Sequence, residues 1–400
     1  MRILFIVPYT PTPIRVRPYN LLKTLVERGH RVTLATLWRG AAEQTALEAL
    51  GKLGIDLLAR PLPRRRSLAN CLAALPSSTP LQAVYCWQPA LQQALDRLPA
   101  TEDFDVVHVE HLRGARYGLA LRGRGVPIVW DSVDCISYLF EQAVAHSRSP
   151  FGKWITRLEL NRTRRYEGRL VDQFDTVLVT SEIDRQALIQ LEKIQNPKSK
   201  IQNLLVLPNG VDLTYFTANG RQPEADTLVF SGKMSYHANV TMALHLVQDI
   251  MPCIWAERPA VKLTLAGQNP PPPVQALGQD PRVTVTGYVP DIRPYLQQAA
   301  VAVAPSVYGA GIQNKVLEAM ACGLPVVATE RAIAALGLQP GRDLLAASEP
   351  AAFAGQVLRL LADPDLRRTI GGNGRRYVQS HHAWPQMGAR LEEIYREVAA

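Results

Sequence analysis

The chain has 400 residues, 47% of them hydrophobic, and a formal net charge of +9 at pH 7. That length suits two domains of roughly 170–200 residues, each able to bury a core of its own. The 5 cysteines are scattered without a CxxC pair, which argues against a structural zinc site or a disulfide framework and favours a reducing, cytoplasmic compartment. No apolar run approaches the ~18 residues that a membrane-spanning helix requires.

The positive charge is confined to one half of the chain. Residues 1–200 hold 28 Lys and Arg against 19 Asp and Glu, whereas residues 201–400 hold 16 of each kind. Such asymmetry predicts that the N-terminal half meets an anionic partner, and nucleic acid and a membrane surface are the two classes that fit.

The first half alternates apolar runs with helical patterns. The opening MRILFIVPYTPTP is too short in its apolar part for a signal peptide, so we expect it to form the first buried strand. The predicted strands are Ile3–Tyr9, Val32–Leu37, Val106–Leu112, Ile128–Val133 and Thr176–Thr180, and residues 60–80 look irregular or short-helical. Repeated β-then-α order predicts a parallel sheet covered on both faces.

The segment 148–170 contains seven basic and two acidic side chains. Phe151, Trp154, Ile155 and Leu158 recur at helical spacing. Two interpretations stay open: an interfacial helix that meets lipid headgroups, or a domain helix whose stripe packs on the sheet and whose arginines are solvated. The polar repeat at 193–203 predicts an exposed loop.

The second half repeats the α/β rhythm. Its predicted strands are Thr227–Ser231, Lys262–Ala266, Val283–Tyr288, Val301–Pro305, Pro325–Thr329 and Leu344–Ala347, with a proline-rich connector at 270–273. Neither half carries GxGxxG or the Walker A pattern, which removes the main support for dinucleotide enzymes and P-loop NTPases.

Residues 302–329 form the most informative stretch, a strand, a glycine-bearing loop, a helix from about Gln313, and another strand. The start of a helix carries unpaired N–H groups and partial positive charge, which suit a phosphate or diphosphate. Asn314 and Glu318 are four residues apart, so they share one face of this helix. The Glu318 carboxylate would accept hydrogen bonds from a pair of ribose hydroxyls.

The motif GIQNKVLEAMACGLPVVAT resembles the donor-site signature of the retaining family 4 of GT-B glycosyltransferases, and PNGVD at 208–212 supports the likeness. Glu318 matches the second glutamate of the family's Glu-x7-Glu pattern. Ala310 stands where the first glutamate, which contacts the donor sugar, is expected. The resemblance implies two Rossmann-like domains facing each other across a cleft: 1–211 for the acceptor, 212–382 for the donor, and a helix at 383–400 that returns to the first domain.

The resemblance also implies a set of donor-binding residues. Gly232 and Lys233 follow a strand where the family neutralises the departing diphosphate, and an ordinary surface lysine is the alternative. Tyr288 and Val289 lie where the family lines its base pocket, although a plain strand end fits equally well. The rest of the set is the start of the signature helix, Gly311, Ile312, Gln313, Asn314 and Lys315, together with Glu318.

The acceptor side departs from the family pattern. Arg15 and Arg17 follow the first strand where a Gly-Gly loop is usual, and they would hold an acceptor phosphate or be solvated helix-start residues. Asp131 and Asp134 flank Val133, which replaces the usual histidine, and either carboxylate would orient an acceptor hydroxyl or cap a helix.

The function expected from this resemblance is transfer of a sugar from a nucleoside diphosphate sugar to a glycan or lipid-linked acceptor, with retention and without a metal or other cofactor. Lys233, Glu318 and Asp131 would be catalytic, and an anionic membrane surface is a candidate partner of the basic half. Two alternatives stay open: a nucleotide-sugar binder with impaired catalysis, and a GT-B epimerase or phosphorylase. Nucleic-acid binding lacks a supporting motif.

Overall fold

The computed structural model describes residues 1–13, 15–98, 104–146, 150–196, 203–218, 220, 223–308 and 312–400, and the side chains of 146–155 are outside that description. The chain forms two compact units. Unit 1 comprises Met1–Pro208 together with Trp384–Ala400, and unit 2 comprises Asn209–Ala383. Within the described residues, no helix combines the length and the apolar character needed to cross a bilayer.

Unit 1 is built on a seven-stranded parallel sheet with the order β3-β2-β1-β4-β5-β6-β7. Its strands are β1 (Arg2–Val7), β2 (Arg31–Trp38), β3 (Asp56–Pro61), β4 (Val106–Glu110), β5 (Ile128–Val133), β6 (Thr176–Val179) and β7 (Leu204–Val206). Its helices are α1 (Val16–Glu27), α2 (Ala41–Lys52), α3 (Arg64–Ala74), α4 (Leu81–Tyr85), α5 (Pro89–Asp96), α6 (His111–Leu121), α7 (Ile136–His146), α8 (Pro150–Leu170) and α9 (Glu182–Gln195), and the C-terminal helix α18 (Trp384–Ala399) also belongs to it.

Unit 2 is built on a six-stranded parallel sheet with the order β10-β9-β8-β11-β12-β13. Its strands are β8 (Thr227–Ser231), β9 (Lys262–Ala266), β10 (Val283–Gly287), β11 (Val301–Ala304), β12 (Val326–Ala328) and β13 (Leu345–Ala346). Its helices are α10 (His237–His245), α11 (Met251–Glu257), α12 (Pro272–Gln275), α13 (Arg293–Gln298), α14 (Asn314–Ala321), α15 (Glu330–Ile333), α16 (Pro350–Ala362) and α17 (Pro364–His381).

The strands follow the apolar runs because both faces of each sheet are covered by helices. β4 is buried at all five positions and β11 at all four, as expected for strands inside a parallel sheet. All strands of a parallel sheet end at the same edge, so the loops after β8, β10 and β11 emerge at one edge of unit 2. The predicted two-sheet Rossmann-like architecture is confirmed.

Two local predictions were wrong, and one strand was missed. Residues 60–80, predicted to be irregular or short-helical, contain the helix α3, but the edge strand β3 before it was missed because its exposed residues do not alternate. The strand predicted for Val106–Leu112 ends at Glu110, where His111 turns the chain with φ 64 into α6. The proline-rich connector begins the short helix α12 at Pro272, since proline is well suited to a first helical position.

The C-terminal helix α18 approaches α1 closely at a glycine. A Cβ atom added to Gly388 would overlap Cγ2 of Thr24 in α1 and lie 2.9 Å from its Cβ. The contact is extended by an ion pair in which Nε of Arg28 lies 2.5 Å from Glu392. Deeper in the unit, the hydroxyl of Tyr395 lies 2.8 Å from Nδ1 of His108 on β4. The helix is therefore fixed by close packing and by a buried polar contact.

We expect Gly388→Ala to destabilise unit 1. The overpacking against Thr24 costs about 1–3 kcal/mol, more than the ~1 kcal/mol that alanine gains over glycine in a helix. Circular dichroism melting would show a lower transition temperature, and Thr24→Ser, which removes Cγ2, would restore part of it. Gly355→Ala in α16 is the matched control, because no atom lies within 4 Å of the added methyl group. An unchanged melting temperature for Gly388→Ala would contradict the packing described here.

Candidate active site

The carboxyl edge of the unit 2 sheet collects most of the predicted donor-binding residues. Gly232 and Lys233 follow β8, and Tyr288 and Val289 follow β10. Ile312 and Gln313 precede α14, which comes after β11. Gly311, like Ala310, lies outside the described residues. The grouping follows from the topology, because β8 lies between β9 and β11 in the sheet.

The start of α14 has backbone N–H groups that no side chain of the described residues caps. The residue before the helix, Gln313, provides no side-chain cap, and the first turn contains no acidic residue. A helix start without a cap leaves its first backbone N–H groups unpaired and its positive dipole end uncompensated. Asn314 stands at this first turn, and its side-chain oxygen accepts a 3.3 Å hydrogen bond from the amide of Asn209. The backbone and charge of this turn therefore suit a phosphate group.

Lys315 is a cation held in the first turn of this helix. Its ammonium group donates a 2.5 Å hydrogen bond to Oδ1 of Asn239 on α10. It also lies 4.4 Å from the centre of the Phe230 ring, on β8, in cation–π geometry. Sulfur of Met242 is 3.6 Å away. These contacts fix the amine in an environment poor in water.

Glu318 lies one turn further along the same helix. Its side chain is half-buried, and its carboxylate has no hydrogen-bond donor among the described residues. Both facts leave the carboxylate available to a ligand that offers hydroxyl groups. A Glu318 side chain packed into the core would have removed the basis of the donor-site hypothesis.

The pKa of Lys315 is lowered and that of Glu318 is raised, so that the two values are nearly equal. Burial lowers the pKa of Lys315 to about 7, although the nearby Glu318 carboxylate opposes this shift. Burial raises the pKa of Glu318 to about 7, and Lys315 opposes that shift. Desolvation disfavours the charged form of each group, and their mutual attraction only partly compensates. Near neutral pH, the charge at this site therefore responds to what binds there.

Gly232 forms a tight turn at the tip of β8. Its φ is 151°, and a Cβ atom there would lie 2.8 Å from the side chain of Asn239. The amide of Asn239 donates a 3.0 Å hydrogen bond to the Lys233 carbonyl. The Lys233 side chain itself is exposed. Asn239 thus connects the loop that carries Lys233 to the amine of Lys315.

Tyr288 is the most exposed of the large hydrophobic side chains at this edge. Its ring is 70% exposed, and it follows Gly287, whose φ of 68 turns the chain at the end of β10. Val289 beside it is half-buried. An exposed aromatic ring next to apolar surface is suited to stacking on a nucleotide base, so the prediction for these two residues has a structural basis.

In unit 1, two of the predicted acceptor-side residues contact each other. Nε of Arg17 lies 2.7 Å from Oδ2 of Asp131, and both side chains are almost fully buried, at 4% and 0% exposure. Arg17 also donates a 3.0 Å hydrogen bond to the Leu207 carbonyl. Burial raises the pKa of Asp131, which the Arg17 charge partly offsets. The catalytic role of Asp131 and the phosphate-binding role of Arg17 stay predictions, and their ion pair gives both a structural role.

Asp134 retains more freedom than Asp131. Its side chain is half-buried and accepts a 3.1 Å hydrogen bond from the hydroxyl of Thr180. Burial and the nearby Asp184 raise the pKa of Asp134 to about 7. A carboxyl group with such a pKa can exchange a proton with an acceptor hydroxyl near neutral pH.

Arg15 is exposed, and its guanidinium group is held over the ring of Tyr9 at 4.8 Å. It donates a 2.7 Å hydrogen bond to the Thr10 carbonyl and lies 3.2 Å from Glu43. Local partners therefore partly neutralise the charge of Arg15. This agrees with a residue at the start of a helix at least as well as with a residue that binds an acceptor phosphate.

Sequence reasoning missed two residues at these edges. Asn239 lies 76 residues before Lys315, and no motif marked it. Glu110 accepts a 2.6 Å hydrogen bond from the hydroxyl of Tyr9, and its second oxygen is buried without a described partner. Burial and Asp131 raise the pKa of Glu110 to about 8. Glu110 pairs in register with Asp131 on the adjacent strand, a proximity that only the structure shows.

Comparison with known proteins matches two family models. Residues 14–210 match the glycosyl transferase 4-like domain, and residues 225–363 match glycosyl transferases group 1. The chain is 35% identical over 112 residues to D-inositol 3-phosphate glycosyltransferase of Salinispora arenicola, which covers 28% of this chain and 25% of the relative. It is 38% identical over 118 residues to alpha-maltose-1-phosphate synthase of Mycolicibacterium smegmatis. This match covers 27% of this chain and 30% of the relative. Both matches therefore span less than a third of the curated relatives.

Solved structures match over the whole chain. Sucrose-phosphate synthase from Thermosynechococcus elongatus aligns with a TM-score of 0.69 and 19% identity, covering 99% of this chain and 98% of that one. Anabaena HepE in complex with UDP aligns with a TM-score of 0.68 and 17% identity. The alignment covers 99% of this chain and 100% of the HepE chain. At such identities the likeness shows the fold, which is GT-B. Together with the family models, which match the sequence of both units, it shows that the chain belongs to the group 1 glycosyl transferases.

Proposed function

We propose that this chain transfers a sugar from a nucleoside diphosphate sugar to a glycan or lipid-linked acceptor, with retention at the anomeric carbon and without a metal or other cofactor. The carrying observation is the uncapped start of α14, flanked by the cation of Lys315 and the carboxylate of Glu318, which has no donor among the described residues. Solved structures of HepE hold UDP and UDP-glucose, which makes a uridine nucleotide the first donor to test.

In this proposal the donor diphosphate lies against the first turn of α14, between the amines of Lys233 and Lys315. Glu318 accepts hydrogen bonds from the ribose hydroxyls, and the base stacks on Tyr288 beside Val289. Ile312 and Gln313 form the wall that leads into the helix. As the bond between the sugar and the diphosphate breaks, negative charge grows on the departing phosphate. Fixed cations and backbone N–H groups stabilise that charge without a protein nucleophile.

The acceptor side is proposed to lie in unit 1. Asp134 would orient the attacking hydroxyl and take its proton, since its carboxyl group is half-buried with a pKa raised to about 7. Asp131 and Arg17 would act as a pair that fixes this strand end. Arg15 remains available to an acceptor phosphate at the cost of its contact with Glu43.

A test of the donor assignment is Lys233→Ala. Loss of one such cation raises the barrier by about 2.7–4 kcal/mol, so we expect kcat to fall by roughly 100–1,000-fold. Folding should be unaffected because the side chain is exposed. The control is Lys262→Ala, an exposed lysine at the first residue of β9, which lies at the opposite edge of the sheet. Turnover near that of the wild type in Lys233→Ala would refute the assignment.

Donor binding should be coupled to proton uptake at Lys315. The pKa of Lys315 is about 7 in the empty site, and an adjacent diphosphate raises it. Below pH 7 the amine is already charged, so it contributes no pH dependence there. Above pH 7 the neutral amine must take up a proton, and affinity should fall about tenfold per pH unit until the raised pKa is passed.

This coupling can be measured by calorimetry of UDP-glucose binding in buffers of different ionisation enthalpy at pH 8, where Glu318, with a pKa of about 7, is already mostly ionised. Lys315→Arg, which stays charged, should bind without uptake and with a flat pH profile. Equal proton uptake with lysine and with arginine at position 315 would contradict the role of this amine.

A nucleotide-sugar binder with impaired catalysis is the second candidate, favoured by Ala310 at the position of the first motif glutamate. Thermal stabilisation by a panel of uridine, guanosine, adenosine and thymidine diphosphate sugars would identify the ligand. Under this alternative, the best ligand binds but is neither transferred nor hydrolysed, and Ala310→Glu restores hydrolysis. Transfer by the wild-type chain to any acceptor would exclude it.

A further inference from the structure

Helix α3 exposes its apolar side. Leu68, Leu72 and Leu75, which follow one another at spacings of four and three residues, are 62%, 66% and 51% exposed. Helices on the surface of a globular protein normally turn such a stripe toward the core. Isolated exposed leucines are common, but here Leu68 and Leu72 share one face of α3 and Leu75 directly follows the helix, so three lie close together in the chain.

The opposite side of α3 is polar and faces the protein. The hydroxyl of Ser67 accepts a 2.7 Å hydrogen bond from Arg39, and Ser67 is 1% exposed. The amide of Asn70 donates to the carbonyls of Val84 and Trp87, at 3.0 and 2.7 Å. These specific hydrogen bonds fix the rotation of the helix, so the exposure of the leucines is a consequence of its seating in unit 1.

The surroundings of this stripe are positively charged. Residues 57–95 contain four arginines and no acidic residue or lysine. Arg64 and Arg65, in the first turn of α3, are exposed and form no ion pair with any described residue. Arg64 lies four residues before Leu68, so its side chain borders the same face.

Helix α8 extends the patch beyond the end of α3. Arg162 donates a hydrogen bond to the Leu75 carbonyl at 2.6 Å. Leu158, one turn earlier on α8, shares that face and is 47% exposed. Arg157 next to it is exposed and has no ion-pair partner in the described part of the chain. We call these exposed leucines and arginines the α3 patch; its members are Arg64, Arg65, Leu68, Leu72, Leu75, Arg157 and Leu158.

We propose that the α3 patch docks unit 1 on an anionic lipid surface, with the leucines in the boundary between headgroups and acyl chains and the arginines on lipid phosphates. The combination of exposed leucines with exposed arginines favours a lipid surface over the other classes of partner. Leucines side by side contribute nothing to a nucleic-acid phosphate backbone, which also calls for aromatic or polar contacts. A symmetric contact with a second copy would bring the arginines of both patches together and oppose itself.

The proposed docking combines a small apolar surface with flanking basic residues. Binding of such a surface grows with the apolar area buried and with anionic lipid content. The electrostatic part is screened within about a Debye length, so binding should weaken with salt. The docking surface is independent of the proposed transfer reaction, since lipid binding needs neither donor nor acceptor.

The test is co-sedimentation of the full chain with vesicles of phosphatidylcholine alone and of phosphatidylcholine with an equal amount of phosphatidylglycerol. We expect binding to the anionic vesicles only. Leu68→Gln with Leu72→Gln should weaken it by roughly 100-fold, since each buried leucine contributes at least about tenfold. Arg64→Gln with Arg65→Gln should weaken it by about 25-fold, at about fivefold for each arginine.

The controls change equally exposed residues elsewhere in unit 1. Ile194→Gln removes an apolar side chain that is 73% exposed on α9. Arg31→Gln with Arg97→Gln removes the same charge from outside the patch, where both residues are exposed. The apolar control should leave vesicle binding unchanged, and the charge control should lower it only slightly. Melting temperatures of all variants should match, because every changed side chain is exposed.

Three outcomes would overturn the proposal. The first is absence of binding to anionic vesicles by the wild type. The second is equal loss in the patch variants and in their controls, which would indicate a diffuse charge effect. The third is self-association, seen by sedimentation velocity, that Leu68→Gln with Leu72→Gln abolishes while vesicle binding persists, which would assign the patch to a second copy.

Discussion

The hydrogen bond from Lys315 to Asn239 is the contact on which the proposed donor site depends. It places a cation beside the uncapped first turn of α14, and the same asparagine fixes the backbone of the loop that carries Lys233. The Lys315 amine, the backbone of the Lys233 loop and a helix start thereby lie at one edge of one sheet. Without the bridging amide, the Lys315 amine would lose this polar contact at a position where burial already disfavours its charge.

The near-neutral pKa values of Lys315 and Glu318 are a consequence of burial. A permanently charged pair in this half-buried position would be costly in the empty protein, because each ion loses part of its hydration. Because burial brings both pKa values to about 7, the pair is not permanently charged near neutral pH.

Unit 1 has buried polar contacts at the carboxyl edge of its own sheet. Two buried polar contacts, Arg17 with Asp131 and Tyr395 with His108, connect α1 to β5 and α18 to β4. Such buried contacts favour a single arrangement of these elements, because a member left without its partner would carry a desolvation penalty. The C-terminal segment therefore contributes to the polar interior of unit 1 as well as to its packing. In α3, by contrast, hydrogen bonds hold the polar side against the protein, and the leucines face solvent, where we propose that they meet a lipid surface.

The sequence by itself determined the two parallel sheets, most strand positions and the helix start near Gln313, because buried strands and a glycine-bounded helix leave local patterns. It also placed Asn314 and Glu318 on one helix, since their spacing is fixed by helical geometry. Only the tertiary structure decided that Asn239 holds Lys315, that Arg17 is paired with Asp131, and that α3 presents its leucines outward. Each of these depends on residues far apart in the chain or on the rotation of a helix about its axis. Local patterns specify what an element is, whereas the partners that an element meets are set by the packing of the whole unit.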